Sequence, residues 1–152
     1  MDFNIIKVNN ANDINKFIKK NSFNIAIGGN QEINRKALET KNVNMLLDAE
    51  PNEEDFMHFR NSGLNQVLVK IAKKNNIAIG FSVNNLSKQE NKINLLGKVM
   101  QNIMLCNKYK VKIYIINFIK DKGEESNIND LEALGLTLGM LPGKVNVLQI
   151  EK

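Results

Sequence analysis

Apolar residues recur with a helical period between residues 61 and 74, and a short run of purely apolar residues follows. The apolar positions fall on one face of a helix and lysines occupy the other face. The apolar residues are Leu64, Val67, Leu68 and Ile71, and the lysines are Lys70, Lys73 and Lys74. Ser62 is predicted to cap this helix, and Asn75 and Asn76 are predicted to end it, because Asn tolerates the left-handed conformation found at helix C-termini.

The apolar run at residues 77–81 follows the helix with no connecting loop. It is apolar at successive positions rather than at alternate ones, which is typical of a strand buried on both faces of a parallel sheet. Helix and strand together therefore predict the second half of a βαβ unit.

Strands and helices alternate along the rest of the chain. The pattern predicts strands at 3–8, 24–27, 43–47, 77–81, 112–118 and 145–150, and helices at 12–20, 31–40, 62–74, 91–108 and 128–138. The longest helix is predicted to face inward with Ile93, Leu96, Met100, Ile103 and Met104. Six strands alternating with five helices indicate an α/β fold with a parallel sheet, in a single domain over residues 1–152.

Charge is distributed unevenly along the chain. Residues 61–122 carry 11 Lys and Arg against 2 Asp and Glu, whereas residues 1–60 carry 8 against 9 and residues 123–152 carry 2 against 5. This local excess predicts a surface that binds a polyanion such as RNA; the alternative is a set of solvated, lysine-rich helix faces. The candidate RNA-binding lysines are Lys70, Lys73, Lys74, Lys98, Lys108, Lys110 and Lys112, with Phe81, Tyr109 and Tyr114 nearby.

A glycine pair, Gly28 and Gly29, stands with Asn30 between a predicted strand and a predicted helix. Backbone N–H groups at such a junction can bind a phosphate, with Arg35 and Lys36 one turn further on. The alternative is a tight turn that needs positive φ at one or both glycines.

Five acidic residues follow the third predicted strand: Asp48, Glu50, Glu53, Glu54 and Asp55. Parallel α/β proteins place their sites beyond the carboxyl ends of strands, so these carboxylates could bind Mg²⁺. A solvated acidic loop, or a surface that pairs with a basic protein, explains them equally well. The chain itself is expected to bind no metal.

Residues for covalent or metal-dependent catalysis are scarce. The chain has one histidine, His58, and one cysteine, Cys106. Cys106 is predicted to be a buried or half-buried helix thiol, and His58 a packing residue of a loop. A single cysteine allows no internal disulfide, no apolar run is long enough to span a membrane, and the start of the chain has no signal-peptide pattern, so a cytoplasmic protein is expected.

Four segments, in order and spacing, resemble the archaeal ribonuclease P protein component 3 family, the counterpart of the eukaryotic thirty-kilodalton subunit. The segments are I-A-I-G-G-N with N-R-K-A-L-E, V-N-M-L-L-D-A-E-P, S-G-L-N-Q-V-L-V-K-I-A-K-K-N-N-I-A-I-G-F, and M-Q-N-I-M-L-C-N-K-Y-K-V. The resemblance covers residues 3–140. Family members generally have further strands and helices before the region that matches Phe3, so this chain is shorter at its N-terminus.

The resemblance implies a (β/α) barrel of the TIM type, related to the metal-dependent phosphoesterases and here incomplete. It implies a non-catalytic subunit of ribonuclease P, in which the RNA binds magnesium and removes the 5′ leader of precursor tRNA. The implied partners are ribonuclease P RNA, other small protein subunits in a heteromer and, indirectly, precursor tRNA. One histidine is too few for the phosphoesterase metal sites.

Two alternatives of other classes remain. One is a doubly wound, receiver-like domain phosphorylated at Asp48, although Val8, Asn9 and Asn10 supply no acidic pair to hold magnesium. The other is a barrel phosphoesterase that acts alone, which the scarcity of histidine disfavours.

Overall fold

Six parallel strands form one sheet in which each strand pairs with the next along the chain. This computed structural model describes residues 1–52, 55–57, 60–88 and 92–152. The strands are β1 (Phe3–Ile6), β2 (Phe23–Ile27), β3 (Met45–Leu47), β4 (Ala78–Ser82), β5 (Ile113–Ile119) and β6 (Asn146–Glu151). Their order is β1-β2-β3-β4-β5-β6, and every pairing is parallel.

The sheet curls into half of a barrel with helices on its outer side. This confirms the predicted α/β fold, the parallel sheet and the incomplete TIM-type barrel. In a doubly wound sheet the strand order reverses at a switch point. The sequential order found here contradicts that topology, so the receiver-like alternative is wrong.

Helices connect successive strands and cover the outer face of the sheet. They are a 3₁₀ helix (Ala11–Phe17), α1 (Gln31–Glu39), α2 (Gln66–Lys74), α3 (Val83–Lys88), α4 (Lys92–Tyr109) and α5 (Ile128–Leu138). The predicted first helix is thus a short 3₁₀ helix, and α3 was not predicted, because its polar sequence has no apolar stripe. No helix in the described ranges is both long and apolar enough to cross a membrane.

Apolar side chains pack on both faces of the sheet. The larger core lies between the sheet and the helices and includes Leu46, Ile79 and Ile115. A smaller core lines the concave face and includes Met45 and Ile116. Because successive strand residues point to opposite faces, continuous apolar runs fill both cores, as predicted for residues 77–81.

Helix α4 buries a different face from the one predicted. Ile93 and Met104 are 84% and 66% exposed, and Met100 is also exposed; of the predicted inward residues, only Ile103 is fully buried. The buried residues of α4 are Leu95, Lys98, Val99, Asn102, Ile103 and Cys106. The apolar pattern pointed to the wrong side because two polar residues, Lys98 and Asn102, face inward.

The ends of α2 also differ in part from the prediction. Asn65, not Ser62, caps the helix, since its side chain accepts a hydrogen bond of 2.9 Å from the backbone N–H of Leu68. Ser62 is buried and donates its hydroxyl to the carbonyl of Leu64. The predicted end at Asn75 and Asn76 is confirmed, and Asn76 adopts a φ of +55°.

Candidate nucleic-acid interface

Lysines are concentrated in the loops where the chain passes from a helix into the next strand. The loops 18–22, 40–44, 75–77, 110–112 and 139–145 lead into β2 to β6 and meet at the amino edge of the sheet. Six exposed lysines lie in these loops, and no Asp or Glu does: Lys19, Lys20, Lys41, Lys110, Lys112 and Lys144. Lys73, Lys74 and Lys108 end the helices at the same edge, where the negative ends of the helix dipoles favour positive charge. We call this surface the basic edge.

The opposite edge, beyond the carboxyl ends of the strands, carries charges of both signs. Asp48, Glu50 and Asp55 follow β3, and three more acidic residues, Asp121, Glu124 and Glu125, follow β5. Lys7, Arg60, Lys120 and Lys122 are exposed at this edge as well, so its described charges largely balance, whereas the strand-entering loops carry only positive charge. The carboxyl edge, where sequence reasoning expected a site, is not the edge that suits a polyanion.

Two grooves open side by side on the basic edge. The first, of about 290 Å³, lies between the ends of α2 and α4, and Lys73, Lys110 and Lys112 line it. The second, of about 330 Å³, lies between the end of α4 and the start of β6, and Lys144 joins Lys110 and Lys112 there. The segment 110–112 thus forms a ridge between two basic grooves.

Specific contacts hold the lysines of the basic edge together. The Lys73 ammonium donates a hydrogen bond of 3.0 Å to the backbone carbonyl of Lys110, which joins the ends of α2 and α4. The ammonium groups of Lys70 and Lys108 each lie 5.5 Å from the centre of the Tyr109 ring. These contacts bring Lys70, Lys73, Lys108 and Lys110 onto one surface, although Lys70 and Lys110 are 40 positions apart.

Lys98 is a correction to the predicted set of RNA-binding residues. Its side chain is 5% exposed, and its ammonium donates a hydrogen bond of 2.8 Å to the carbonyl of Pro51. It anchors α4 to the loop after β3 and is not available to a phosphate at the surface. Phe81 is likewise buried at 3% exposure, which excludes it as a platform for base stacking.

The glycine pair forms a tight turn whose N–H groups are already used. Gly29 has a φ of +107°, and its N–H donates to Oδ1 of Asn34, while the N–H of Gly28 donates to the carbonyl of Leu47. Asn30 caps α1 through the N–H groups of the second and third helical residues. This turn lies at the carboxyl edge, away from the basic edge.

Arg35 and Lys36, one turn into α1, do not complete a phosphate site at that turn. The Arg35 Nε forms an ion pair of 2.9 Å with Glu39 on the solvent side of the helix. Lys36 lies half-buried in the last turn of α1. The structure therefore does not bring these two residues together with the glycine turn, and Lys36 lies at the end of α1 that faces the basic edge.

The carboxylate of Asp48 is held by hydrogen bonds within the protein and is not a solvated loop residue. It has a φ of +52°, and its two carboxylate oxygens accept hydrogen bonds from the N–H and the hydroxyl of Ser82, at 2.8 and 2.7 Å. Burial raises the pKa of Asp48 to about 6, and the bonds from Ser82 oppose that rise. The carboxylate thereby joins the ends of β3 and β4.

Glu50 is buried and forms a second link, between the β3 loop and α4. Its Oε1 accepts a hydrogen bond of 2.9 Å from the amide of Asn102, which also donates to the carbonyl of Ser62. Among the described residues, neither Glu50 Oε2 nor Asn102 Oδ1 has a hydrogen-bond partner. Burial and the neighbouring Asp48 raise the pKa of Glu50 to about 7. The interpretation as a solvated loop is wrong for Asp48 and Glu50; Asp55 is exposed.

No catalytic centre is assembled in the described ranges. Cys106 is buried, as predicted, and burial together with Glu50 raises the pKa of its thiol to about 12, so it is a neutral packing residue. The described side chains form no group of three or more His, Cys, Asp and Glu residues that could hold a metal ion. Glu53, Glu54 and His58 lie outside the described residues.

Of the six lysines in these loops, sequence reasoning named Lys110 and Lys112 and missed the edge that they share. The four lysines that it missed are Lys19, Lys20, Lys41 and Lys144. Part of the signal was available, because the gaps between each predicted helix and the next predicted strand hold Lys41, Lys110 and Lys144 and no carboxylate. In a parallel sheet all strands begin at the same edge, so charges in those segments must converge.

Comparisons with known proteins support the resemblance found in the motifs. No protein-family model matches the chain. Ribonuclease P protein component 3 of Methanococcus vannielii is 32% identical over 119 residues, which are 74% of this chain and 49% of that protein. The protein of the same name from Methanosarcina acetivorans is 39% identical over 106 residues, which are 67% of this chain and 41% of that protein. The chain thus spans about half the length of these relatives or less.

A solved structure agrees with these relatives. A chain in the cryo-EM structure of archaeal ribonuclease P with mature tRNA superposes with a TM-score of 0.72 and 25% sequence identity. The superposition covers 91% of this chain and 60% of that one. The resemblance predicted from the motifs is confirmed in both sequence and fold.

Proposed function

We propose that this chain, which is related in sequence and in fold to archaeal ribonuclease P protein component 3, is a non-catalytic protein subunit of ribonuclease P. It supports the catalytic RNA in removing the 5′ leader from precursor tRNA. The single observation that carries the proposal is the basic edge, whose strand-entering loops hold six exposed lysines and no carboxylate. The relatives and the structural neighbour support RNA as the polyanion that this surface binds.

The basic edge acts by neutralising phosphates. Lysine ammoniums are compact point charges that release counterions from an RNA backbone without reading its sequence. Such contacts raise affinity and stabilise a folded RNA at low magnesium, but they give little specificity. In this proposal magnesium is bound by the RNA, and the chain contributes charge and a rigid platform.

The carboxyl edge, which carries charges of both signs, leaves the other end of the half-barrel for protein partners. Exposed carboxylates such as Asp55 and Glu125 alternate there with lysines, a mixture that suits a protein surface better than an RNA backbone, so one heteromer can place RNA and protein at opposite ends of the chain. Cytoplasmic location belongs to the same proposal, and the unpaired thiol of Cys106 is consistent with a reducing compartment.

Reconstitution tests the proposal directly. The ribonuclease P RNA and the other small protein subunits are assayed for cleavage of precursor tRNA at modest magnesium, with and without this chain. We expect the complete mixture to be faster and the chain alone to be inactive. Equal rates with and without the chain would reject the proposal.

A variant assigns the effect to the basic edge. Replacing Lys74, Lys108 and Lys144 with Ala should remove most of the gain at modest magnesium, and high magnesium should restore it. The matched control replaces Lys7, Lys120 and Lys122, which are exposed at the carboxyl edge, and should keep the gain.

A further inference from the structure

The first groove on the basic edge combines charge with an aromatic wall. Lys73, Lys110 and Lys112 surround it, Phe23 and Tyr114 contribute rings, and no acidic residue lines it. Its volume of about 290 Å³ is near the lower end for small-molecule sites. A groove of this size suits one nucleotide rather than a duplex.

The rings belong to the rigid inner core of the half-barrel. Phe23 starts β2, and its ring meets Phe3 edge to face, with centroids 5.9 Å apart. Tyr114 lies on β5 two residues after Lys112, so both side chains are on the same side of the strand. An aromatic face beside a lysine offers stacking to a base and charge to its phosphate.

The lysines are held in place around these rings. Lys73 keeps its ammonium at the groove through its hydrogen bond to the Lys110 carbonyl and retains further N–H donors for a phosphate. Lys112 immediately precedes β5, so its backbone is fixed where the strand pairs with β4. Two phosphates flanking a bound base would therefore meet positioned charges.

The backbone of Lys110 has a conformation that lysine rarely adopts. Lys110 has a φ of +57° and follows the end of α4, where the N–H of Val111 bonds to the carbonyl of Cys106. The equivalent position after α5 is Gly139, with a φ of +111° and the same bonding pattern. Glycine adopts this conformation without strain and lysine does not. Lys110 lines both basic grooves. A role for its side chain in binding a ligand there explains why a lysine occupies this strained position.

We propose that this groove binds a single unpaired nucleotide of RNA. The base stacks on Tyr114 beside Phe23, and the flanking phosphates contact Lys73, Lys110 and Lys112. The inference rests on the proposed RNA-binding function and adds to it the place and the chemical form of one contact, an unstacked nucleotide rather than a duplex backbone.

Two oligonucleotides distinguish the contribution of the base to binding from that of the phosphates. A short fluorescein-labelled oligouridylate and an abasic strand of equal length are titrated with the wild-type chain and with Tyr114→Leu and Tyr114→Phe. We expect Tyr114→Leu to weaken binding of the oligouridylate about five-fold or more and to leave binding of the abasic strand unchanged. Tyr114→Phe keeps the ring and should bind as the wild type does.

Lys110→Gly tests the role of the strained lysine with a variant that should be more stable than the wild type. Its Tm should rise by about 2 to 4 °C as the strain is removed. The slope of log affinity against log salt should fall by about 0.7, the value of one single-strand phosphate contact. Lys122→Ala, which removes one exposed charge at the other edge, should change neither quantity.

The outcomes separate this inference from the proposed function. The chain could bind RNA and support reconstitution while Tyr114→Leu and Lys110→Gly bind RNA as the wild type does. The assignment of a nucleotide to this groove would then be wrong, and the proposed ribonuclease P function would be unaffected. If polyglutamate displaces the oligouridylate as well as unlabelled RNA does, the groove belongs to an acidic peptide, and the inference fails. If the wild-type chain neither binds RNA nor speeds the reconstituted enzyme, both fail.

Discussion

The amide of Asn102 donates a hydrogen bond of 2.9 Å to the carboxylate of Glu50, and this contact ties α4 to the loop after β3 inside the protein. Asn102 uses the same amide nitrogen to hold the carbonyl of Ser62. One helix residue thus fixes both ends of the long connection between β3 and α2. The acidic cluster that the sequence places beyond β3 is therefore in part a structural element.

The Glu50 carboxyl should make stability depend on pH. Its pKa is raised from 4.5 to about 7, so folding favours the neutral acid. The neutral carboxyl stabilises the folded state fully below the pKa that Glu50 has in the unfolded chain. This contribution to the free energy of unfolding, on the order of 3 kcal/mol, is lost as the pH rises through about 7. The charged or titratable groups that face it are Asp48, Lys98 and Cys106. Urea unfolding at about pH 5.5 and about pH 8.5 should show the lower stability at the higher pH.

Glu50→Gln isolates this contribution. The amide keeps the volume of the side chain and cannot ionise, so the loss of stability between the two pH values should shrink; Asp48, whose pKa is also raised, retains its own smaller part. Glu132→Gln, at an exposed position of α5, should behave as the wild type does. A Glu50→Gln protein whose stability falls as steeply as that of the wild type would disprove the assignment.

Asn34 should be among the most sensitive polar positions. It is fully buried, its amide donates to the carbonyls of Ala49 and Gly63, and its Oδ1 accepts from the N–H of Gly29. Asn34→Ala leaves one buried and two partly buried backbone groups without this partner, so we expect a loss of about 3 kcal/mol in the free energy of unfolding. Arg35→Ala, which removes only an exposed ion pair, should change it by less than about 0.5 kcal/mol. Equal losses in the two variants would contradict this account.

Lys98 should affect stability and not RNA binding. Lys98→Ala removes the buried ammonium that holds the Pro51 carbonyl and leaves a cavity, at a cost of about 2 to 4 kcal/mol. The RNA affinity of the folded fraction should stay within about two-fold of the wild type, because the side chain does not reach the surface. Denaturant unfolding and fluorescence titration measure the two effects separately. A large loss of affinity at unchanged stability would return Lys98 to the RNA-binding set.

The salt dependence of RNA binding should report the basic edge as a whole. Replacing Lys74, Lys108 and Lys144 with Ala should reduce the slope of log affinity against log salt by up to about 2, since each phosphate contact on a single strand contributes about 0.7. Titrations of the same single-stranded RNA at several salt concentrations give the slope. The triple variant Lys7, Lys120 and Lys122 to Ala removes the same net charge at the other edge. Identical slopes for the two triple variants would mean that overall charge, not its placement, governs binding.

Local patterns were sufficient where an element is apolar throughout or where polar residues mark its end. Residues 77–81 showed a strand buried on both faces, and Asn75 and Asn76 showed the end of α2. Local patterns failed for α4, because apolar residues occur all around this helix. By sequence alone, Ile93 and Met104 were as suitable for the core as Leu95 and Val99. The buried face was decided by Lys98 and Asn102, whose partners lie about 50 positions away, and sequence spacing cannot reveal such partners.

The sequence alone determined the alternation of strands and helices, the parallel sheet, the scarcity of catalytic side chains and the resemblance to a subunit of an RNA enzyme, because each depends on local periodicity, composition or motif order. Only the tertiary structure decided that six lysines from four separate loops meet at the amino edge while Glu50 and Lys98 are withdrawn from solvent. The reason is geometric. Parallel strands bring every helix-to-strand loop to one end of the sheet, and burial depends on what packs against a residue, not on its neighbours in the chain.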